Sequence, residues 1–378
     1  MPGRIPIGWD EENESFVPVR TLTTGRKGVD CTAVAAFLPP GYVRTLLPAT
    51  HQREDAPVLP LWAYSSVGWE NGRFWATGLL IDPDPHWHPK YFENDRLLRN
   101  KVDALLKKNS QNRLLRQLSR CALEYRCFAA KNVFFKRWEC PLPTSPSCNA
   151  NCLGCISLQP SECCPASQER IDFVPTVDEV VSVAFPHLEK AEDAIVSFGQ
   201  GCEGEPLMQW QLLERSIWKL REKTDRGTIN LNTNGSYPGR VEQLCDAGLD
   251  SIRVTLNSPS PKLYACYHQP RGYTFKEIVA SLIAAKGKGI YTSINLLVFP
   301  GLTDREKEVE RLIALIRRTD LDLIQMRNLN IDPDLYLEAM GRGEGIGISQ
   351  MIDVLKAEFP SLQFGYFNRT KESFFAHG

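Results

Sequence analysis

The second half of the chain alternates apolar runs with amphipathic segments, and this alternation restricts the fold more than any other feature. DAIVSFG at 193–199 and SIRVTLNSPS at 251–260 are typical of buried strands, whereas TFKEIVASLIAAKGKG at 274–289 has helical periodicity. The connections between these segments are short. Strands that alternate with helices are joined by crossovers, so we expect one parallel sheet with helices packed outside it.

A cysteine-rich loop, CNANCLGC at 148–155, precedes this region and brings three thiols together in eight residues. A zinc site usually needs four ligands, often as two separate C-x2-C pairs, and only Cys152 and Cys155 have that spacing here. A catalytic cysteine needs a base, and no histidine is close in sequence. An iron–sulfur cluster binds several thiolates from one short loop. We therefore favour a cluster and keep zinc as an alternative.

The composition indicates a cytoplasmic globular protein. The 378 residues are 43% hydrophobic with a formal net charge of −1, which gives no general attraction to nucleic acid or membranes. No apolar run reaches the roughly 18 residues of a membrane span, and the polar, acidic N-terminus is unlike a secretory signal. Because thiols stay reduced in the cytoplasm, we do not expect the twelve cysteines to form a disulfide framework.

Four further motifs follow the cysteine loop in a fixed order. They are GEP after the second predicted strand, TNG at the end of the third, a polar fourth strand, and PGLTD after the fifth. Together with the cysteine loop, this set resembles the radical S-adenosylmethionine (radical SAM) superfamily. The resemblance implies an α/β fold, a partial (β/α)6 TIM-like barrel over 131–378, with the active site at the carboxyl ends of the strands. Residues 1–130 are expected to form an N-terminal α+β extension.

The resemblance also implies an activity. Cys148, Cys152 and Cys155 would bind a 4Fe–4S cluster whose fourth iron chelates S-adenosylmethionine. Reductive cleavage would give a 5′-deoxyadenosyl radical that takes a hydrogen atom from a peptide or protein, a nucleic acid or a small metabolite. Flavodoxin or ferredoxin would supply the electron. The alternative is a non-catalytic protein with a structural zinc or iron–sulfur site and a regulatory or interaction role.

Other residues are matched to S-adenosylmethionine by their place in the family motifs. The expected contacts are Gly204, Glu205, Pro206, Thr233, Asn234, Thr255, Asn257, Asn295, Val298 and Pro300. Glu205 would meet the amino group of the methionine moiety. The family often has an aromatic residue just before the third cysteine, beside the adenine, and this chain has Gly154 there. Another side chain, or backbone alone, must then contact the adenine.

A substrate site is predicted from strand periodicity. Arg253 shares the parity of Thr255 and Asn257 on the fourth strand, and Gln325 and Arg327 share a parity on the sixth. If these positions face the barrel interior, Arg327 with Gln325 can hold a carboxylate or phosphate of the substrate. The alternative is that a carboxylate of the protein itself pairs with the buried arginine.

The first 130 residues allow fewer conclusions. ENGR at 70–73 predicts a hairpin turn, and the leucine-rich stretch 95–130 predicts two helices. The basic face of these helices is either solvated or a docking surface for an acidic peptide or RNA. We favour a single cluster, although the cysteines outside the loop leave a second one open: Cys31, Cys121, Cys127, Cys140, Cys163 and Cys164.

Overall fold

The computed structural model describes residues 1–24, 27–159 and 164–375. The N-terminal part consists of short antiparallel strands: β1 (Arg4–Asp10), β2 (Ser15–Pro18), β3 (Thr21–Thr24), β4 (Lys27–Asp30), β5 (Tyr42–Val43), β6 (Thr50–Gln52), β7 (Val67–Glu70), β8 (Arg73–Ala76) and β9 (Leu79–Leu80). β1 pairs with β2 and β6, and the remaining strands form the pairs β3–β4, β5–β9 and β7–β8. The predicted hairpin is confirmed as β7–β8, because Asn71 and Gly72 have φ angles of 49° and 76°, as a type I′ turn requires.

Three helices follow, where the sequence predicts two. They are α1 (Asp95–Lys108), α2 (Arg113–Leu123) and α3 (Phe128–Phe135). The two helices predicted for 95–130 are α1 and α2; the chain then turns at Arg126, which has a φ of 54°, and α3 begins at the end of that stretch. The leucine stripes of α1 and α2 join the main hydrophobic core, as predicted.

A seven-stranded parallel sheet forms the centre of the molecule. Its strands are β10 (Arg137–Pro141), β11 (Glu192–Phe198), β12 (Thr228–Thr233), β13 (Ser251–Leu256), β14 (Tyr291–Val298), β15 (Leu323–Asn328) and β16 (Gln363–Gly365). Their order in the sheet is their order in the sequence, and every adjacent pair is parallel. The sheet curls into a half-barrel. The predicted partial barrel is confirmed, with a short seventh strand added.

Helices of the crossovers cover the outside of the sheet. They are α4 (Val177–Lys190), α5 (Trp210–Arg221), α6 (Pro238–Asp246), α7 (Pro261–His268), α8 (Phe275–Gly287), α9 (Glu306–Thr319), α10 (Pro333–Met340) and α11 (Ile348–Glu358). Capping boxes at Thr176 and Thr274 fix the starts of α4 and α8. Short 3-10 turns lie at 85–87, 89–92, 206–209 and 371–373. No helix within the described ranges has the length and apolarity to cross a membrane.

The N-terminal strands pack over the carboxyl ends of β14 and β15. Arg4 is 2% exposed and forms ion pairs with Asp332 and Asp334, at 2.9 and 3.0 Å. Arg44 is fully buried and donates to the carbonyl of Leu329 at 2.9 Å. Asn328, the last residue of β15, accepts from the Arg44 amide at 2.9 Å. The extension thus closes over the edge of the sheet where an active site is expected.

A buried histidine on α4 gives a pH prediction. His187 is 3% exposed, and its Nε2–H donates to the Trp138 carbonyl at 2.6 Å. Burial lowers the pKa of His187 to about 4, against an ordinary value of 6.5. Between pH 6.5 and pH 4 the unfolded chain therefore binds a proton at this histidine and the folded chain does not. The contribution of His187 to stability is complete above pH 6.5 and is lost as pH falls toward 4.

The free energy of unfolding is expected to fall by about 2 kcal/mol from this histidine between pH 7 and pH 5. Urea unfolding of the wild type and of His187→Gln at both pH values measures the contribution of His187 to the free energy of unfolding. The glutamine can keep the bond to the Trp138 carbonyl but does not titrate. An equal loss of stability in both proteins would contradict the assignment.

Candidate functional site

A cavity of about 410 Å³ opens at the carboxyl ends of the sheet strands. The cysteine loop after β10 forms one side of it, and residues from β11 to β15 and the loops that follow them form its floor and opposite side. Phe37, Leu38 and Ala63 of the N-terminal extension line it as well. The cavity lies at the end of the sheet where the site is predicted, and it is built from both parts of the chain.

Glu203 fixes the approach to the cysteine loop. One carboxylate oxygen accepts from the amides of Thr144 and Ser145 at 2.7 and 3.0 Å, and the other accepts from the amides of Gly199 and Gln200 at 2.6 and 3.2 Å. Glu203 is 4% exposed, and burial raises its pKa to about 7. The carboxylate thus ties the segment before Cys148 to the end of β11.

Gly204 makes a close backbone contact at the same place. Its amide donates to the Ser145 carbonyl at 2.7 Å, and the Glu205 amide donates to the Ser147 carbonyl at 2.8 Å. A Cβ atom at position 204 would lie 2.1 Å from the Ser147 carbonyl oxygen, so only glycine fits. The GEP segment therefore runs directly alongside the residues that lead into the cysteine loop.

The three thiols of the loop face the cavity. Burial raises the pKa of Cys148 to about 11 and raises that of Cys152 further. Two nitrogen groups lie beside the sulfur atoms: His268 Nδ1 is 3.2 Å from Cys152 Sγ, and Arg170 Nη2 is 3.5 Å from Cys155 Sγ. Such donors stabilise thiolates that would otherwise be disfavoured by burial.

Glu205 connects the ends of two strands. Its Oε1 accepts from the Leu207 amide at 3.0 Å and from the Thr233 hydroxyl, and its Oε2 accepts from the Asn234 amide at 2.8 Å. A carboxylate has about four acceptor positions, so one position on Oε2 is left for a further donor. Burial raises the pKa of Glu205 to about 7, and a cation placed there would restore its charge.

Polar groups continue across β13 and β14. Thr255 and Asn295 are paired across the two strands, and Asn295 Nδ2 donates to the Thr255 hydroxyl at 3.2 Å. Asn295 Oδ1 is buried and has no hydrogen-bond partner in the described part of the chain. Both residues line the cavity, which therefore presents an unsatisfied acceptor to a ligand with a hydroxyl or amino group.

The comparison with protein families agrees with this geometry. Residues 142–313 match the family model of the Radical SAM superfamily, a segment that begins just before the cysteine loop and ends in α9. The chain carries a radical SAM domain. The match covers the half-barrel strands from the cysteine loop through β14, so every motif discussed above except the arginine of β15 falls inside it.

Curated relatives of the radical SAM domain match over parts of their length. The FeMo cofactor biosynthesis protein NifB of Klebsiella pneumoniae is 25% identical over 177 residues, which are 43% of this chain and 37% of NifB. The probable GTP 3′,8-cyclase of Methanosarcina mazei is 26% identical over 196 residues, 50% of this chain and 54% of the relative. The chain thus spans about half of these relatives or less.

A solved structure gives a similar comparison. The FeFe-hydrogenase maturase HydG from Carboxydothermus hydrogenoformans aligns with a TM-score of 0.44 and 17% identity, over 73% of this chain and 67% of that chain.

The cofactors of radical SAM domains are a 4Fe–4S cluster and S-adenosylmethionine, and the residues present fit both. Within the described ranges, no three His, Cys, Asp or Glu side chains converge on a point where one metal ion could bind them all. A cluster uses a different iron for each thiolate, so its ligands need not converge. For S-adenosylmethionine, the unsatisfied Asn295 Oδ1 and the free position on Glu205 are suitable acceptors.

The sequence-predicted site residues fall into two groups. Those that line the cavity are Cys148, Cys152, Cys155, Glu205, Thr233, Asn234, Thr255, Asn295, Arg253 and Arg327. Those outside its lining are Gly204, Pro206, Asn257, Val298, Pro300 and Gln325. Asn257 is fully buried and its Nδ2 donates to the Tyr336 hydroxyl at 3.1 Å. Gln325 lies next to the cavity and contacts Arg253.

Tyr267 of α7 occupies the space beside Gly154. A Cβ atom at position 154 would lie 2.9 Å from the Tyr267 hydroxyl oxygen, and Tyr267 lines the cavity. An aromatic side chain therefore lies beside position 154, and it comes from a helix more than 100 residues later in the chain. Sequence reasoning missed Tyr267, His268 and Arg170, because nothing local marks a residue that reaches this loop from a distance.

Three cysteines outside the loop, Cys121, Cys127 and Cys202, lie close to one another. Cys121 and Cys202 are hydrogen-bonded to each other, and Cys140 is fully buried in the hydrophobic core. Cys31 lies between the strand pairs of the extension and Cys266 is exposed on α7. Cys163, one candidate for a second cluster, lies outside the described residues.

Proposed function

We propose that this protein is a radical SAM enzyme. The observation that carries the proposal is a single cavity into which Cys148, Cys152 and Cys155 open together with Glu205 and the polar pair Thr255–Asn295. A structural metal site would need the thiols but not the acceptors placed across three further strands. In this proposal residues 131–378 are the catalytic half-barrel, and residues 1–130 are an extension that covers it.

When bound, the cluster and S-adenosylmethionine supply a radical that removes a hydrogen atom from a substrate. The chain's own residues do the rest. Cys148, Cys152 and Cys155 would hold the cluster, and the N–H groups of Arg170 and His268 would donate to its thiolates. The extension, through Phe37 and its neighbours, would exclude water from the cavity.

The same residues would orient S-adenosylmethionine. Glu205 would accept from the ammonium of the methionine moiety through its free position, while it keeps the TNG segment in place. Thr255 and Asn295 would bind the ribose side. Tyr267 would lie beside the adenine, in the place that a side chain at Gly154 would otherwise take.

Two partners are proposed from charge and exposure. A low-potential protein such as flavodoxin or ferredoxin would supply the electron, which fits a reducing cytoplasmic location. An acidic peptide or RNA would dock on the basic face of α1, where Arg96, Arg99, Lys107 and Lys108 are exposed. α2 contributes less to this face, because its Arg113 and Arg120 are already paired with Glu179, Glu124 and Glu169.

The proposed function is tested by anaerobic reconstitution with iron and sulfide, followed by reduction with dithionite and, in parallel, with reduced flavodoxin. Release of 5′-deoxyadenosine from S-adenosylmethionine, measured by chromatography, is the expected result even without substrate. A protein that takes up zinc, forms no cluster and does not bind S-adenosylmethionine would instead be the non-catalytic alternative.

A further inference from the structure

Two arginines face the cavity from the strands farthest from the cysteine loop. Arg253 is on β13 and Arg327 is on β15, with β14 between them, and both line the cavity. Arg253 lies farther from the carboxyl end of its strand than Arg327 does. Its side chain extends toward that end, where Nη1 donates to Gln325 Oε1 at 2.6 Å. The two guanidinium groups are therefore brought to neighbouring heights on one side of the cavity.

Neutral groups hold both arginines in place. Gln325, which accepts from Arg253, donates in turn to Asn368 Oδ1 at 2.9 Å. The Arg327 guanidinium stacks over the Tyr366 ring, 4.1 Å from its centre. Neither arginine forms an ion pair with a carboxylate in the described ranges of the chain, and the Nε atoms of both are buried without a hydrogen-bond partner there. The Glu139 carboxylate acts on Arg253 through space and is itself hydrogen-bonded to Gln200 and Asn368, so within these ranges the alternative of a protein carboxylate is not realised as a direct ion pair.

The positive charges of Arg253 and Arg327 are not balanced by an ion-paired carboxylate within the described ranges. Arg253 is 8% exposed; burial, with a smaller contribution from the neighbouring Arg327, lowers its pKa to about 9, and the Glu139 carboxylate acts in the opposite direction. A buried cation without an anion is costly, and a second cation beside it adds repulsion. Guanidinium groups fixed by a glutamine and an aromatic ring keep their remaining N–H groups directed at the cavity. They match the two-oxygen geometry of a carboxylate or phosphate.

Arg327 is separated along the sheet from the place proposed for the methionine end of S-adenosylmethionine, whereas Arg253 is paired with Asn232 on the adjacent strand β12 and extends toward β15 through its bond to Gln325. Glu205 binds the end of β12, and β12 is three strands away from Arg327 on β15. Adjacent strands are about 4.8 Å apart, so the separation is roughly 14 Å. Apolar side chains line the same cavity and include Phe37, Leu38 and Leu297, of which Leu297 is paired with Arg327 across β14 and β15.

We propose that Arg253 and Arg327 bind a carboxylate or phosphate of the substrate, and that the rest of this substrate is apolar and lies against the wall formed by Phe37, Leu38 and Leu297. The inference rests on the proposed function only in taking the second molecule in the cavity to be a substrate. Anion binding itself needs neither the cluster nor S-adenosylmethionine.

Three small probes test the proposal on the full chain by calorimetry: benzoate, phenyl phosphate and the neutral benzamide. The wild type is expected to bind one or both anions at least tenfold more tightly than benzamide, and their relative affinities identify the preferred anion. Arg327→Gln is expected to remove at least about tenfold of that affinity, because charge-assisted hydrogen bonds are lost. Arg215→Gln, on an exposed position of α5, is the matched control and should bind as the wild type does.

The second arm measures S-adenosylmethionine affinity of the reconstituted variants. It should be unchanged in Arg327→Gln. A parallel loss of S-adenosylmethionine binding would show that the arginine holds the cofactor's own carboxylate and would overturn the proposal. Equal binding of benzoate, phenyl phosphate and benzamide would also overturn it. Arg253→Gln is measured in the same way. If that variant does not fold, Arg327→Gln, at a half-buried position, still tests whether the arginines bind the anion. Because the probes are measured without cluster, failure to bind S-adenosylmethionine at all would count against the proposed function alone.

Discussion

Replacement of Cys148, Cys152 or Cys155 by alanine is expected to abolish the brown colour of the reconstituted protein and to reduce its iron from about four atoms per chain to below one. The three thiols open into the same cavity, come from one loop, and do not converge on a single ion. Loss of any one thiolate leaves an iron without its protein ligand. S-adenosylmethionine cleavage should then fall below detection, which is the largest effect expected of any substitution in this chain.

Cys266→Ala is the matched control for this experiment. Cys266 is exposed on α7, close in sequence to Tyr267 and His268 but not itself in the cavity lining. Its variant should keep iron, sulfide and activity. Iron and sulfide analysis with electron paramagnetic resonance of the reduced protein gives the readout. Full iron content in the single variants of the loop would contradict the ligand assignment, and so would stoichiometric zinc with no iron.

The half-barrel could be predicted because its strands are marked locally. DAIVSFG and SIRVTLNSPS are apolar runs of strand length between helical segments, and they became β11 and β13. The alternation of side chains along a strand also predicted correctly that Arg253 and Thr255 share a face of β13, and both line the cavity. The same alternation did not predict the position of Asn257, because β13 stops at Leu256 and Asn257 turns into the core beside Tyr336.

The role of the extension could not be predicted from sequence. Arg4 pairs with Asp332, and Arg44 contacts Leu329, so these contacts join residues that are 328 and 285 positions apart. No local pattern identifies such partners, and a buried arginine is indistinguishable in sequence from a surface one. The same reason explains Tyr267, whose place beside Gly154 depends on how α7 packs against the cysteine loop.

Glu203 and Glu205 show that sequence alone does not predict the burial and partners of two glutamates within one motif. They are two residues apart and could be read as solvated loop carboxylates, yet both are 4% exposed. Their partners differ: Glu203 binds the amides that precede the cysteine loop, and Glu205 binds the end of β12. Two chemically identical residues therefore stabilise different parts of the site, and substitution can separate the two roles.

Glu203→Ala is expected to lower the free energy of unfolding by roughly 3 kcal/mol or more, because four backbone amides, two of them in buried hydrogen bonds, lose a carboxylate acceptor. Since two of those amides belong to Thr144 and Ser145, just before Cys148, iron uptake should fall with stability. Urea unfolding and iron analysis measure both quantities. A stable, fully loaded Glu203→Ala protein would mean that the cysteine loop does not depend on this carboxylate.

Glu205→Ala is expected to give the opposite pattern: near-normal iron content and S-adenosylmethionine affinity reduced by about tenfold or more. The alanine removes the acceptor for the methionine ammonium and releases Thr233 and Asn234, but it leaves the anchoring of the cysteine loop by Glu203 intact. Calorimetric titration of the reconstituted variants with S-adenosylmethionine provides the measurement, and Glu203→Ala serves as the paired comparison. If Glu205→Ala binds the cofactor normally, its carboxylate only holds the TNG segment. If iron and cofactor binding are lost together, the two glutamates form one structural unit and the ammonium contact should be assigned elsewhere.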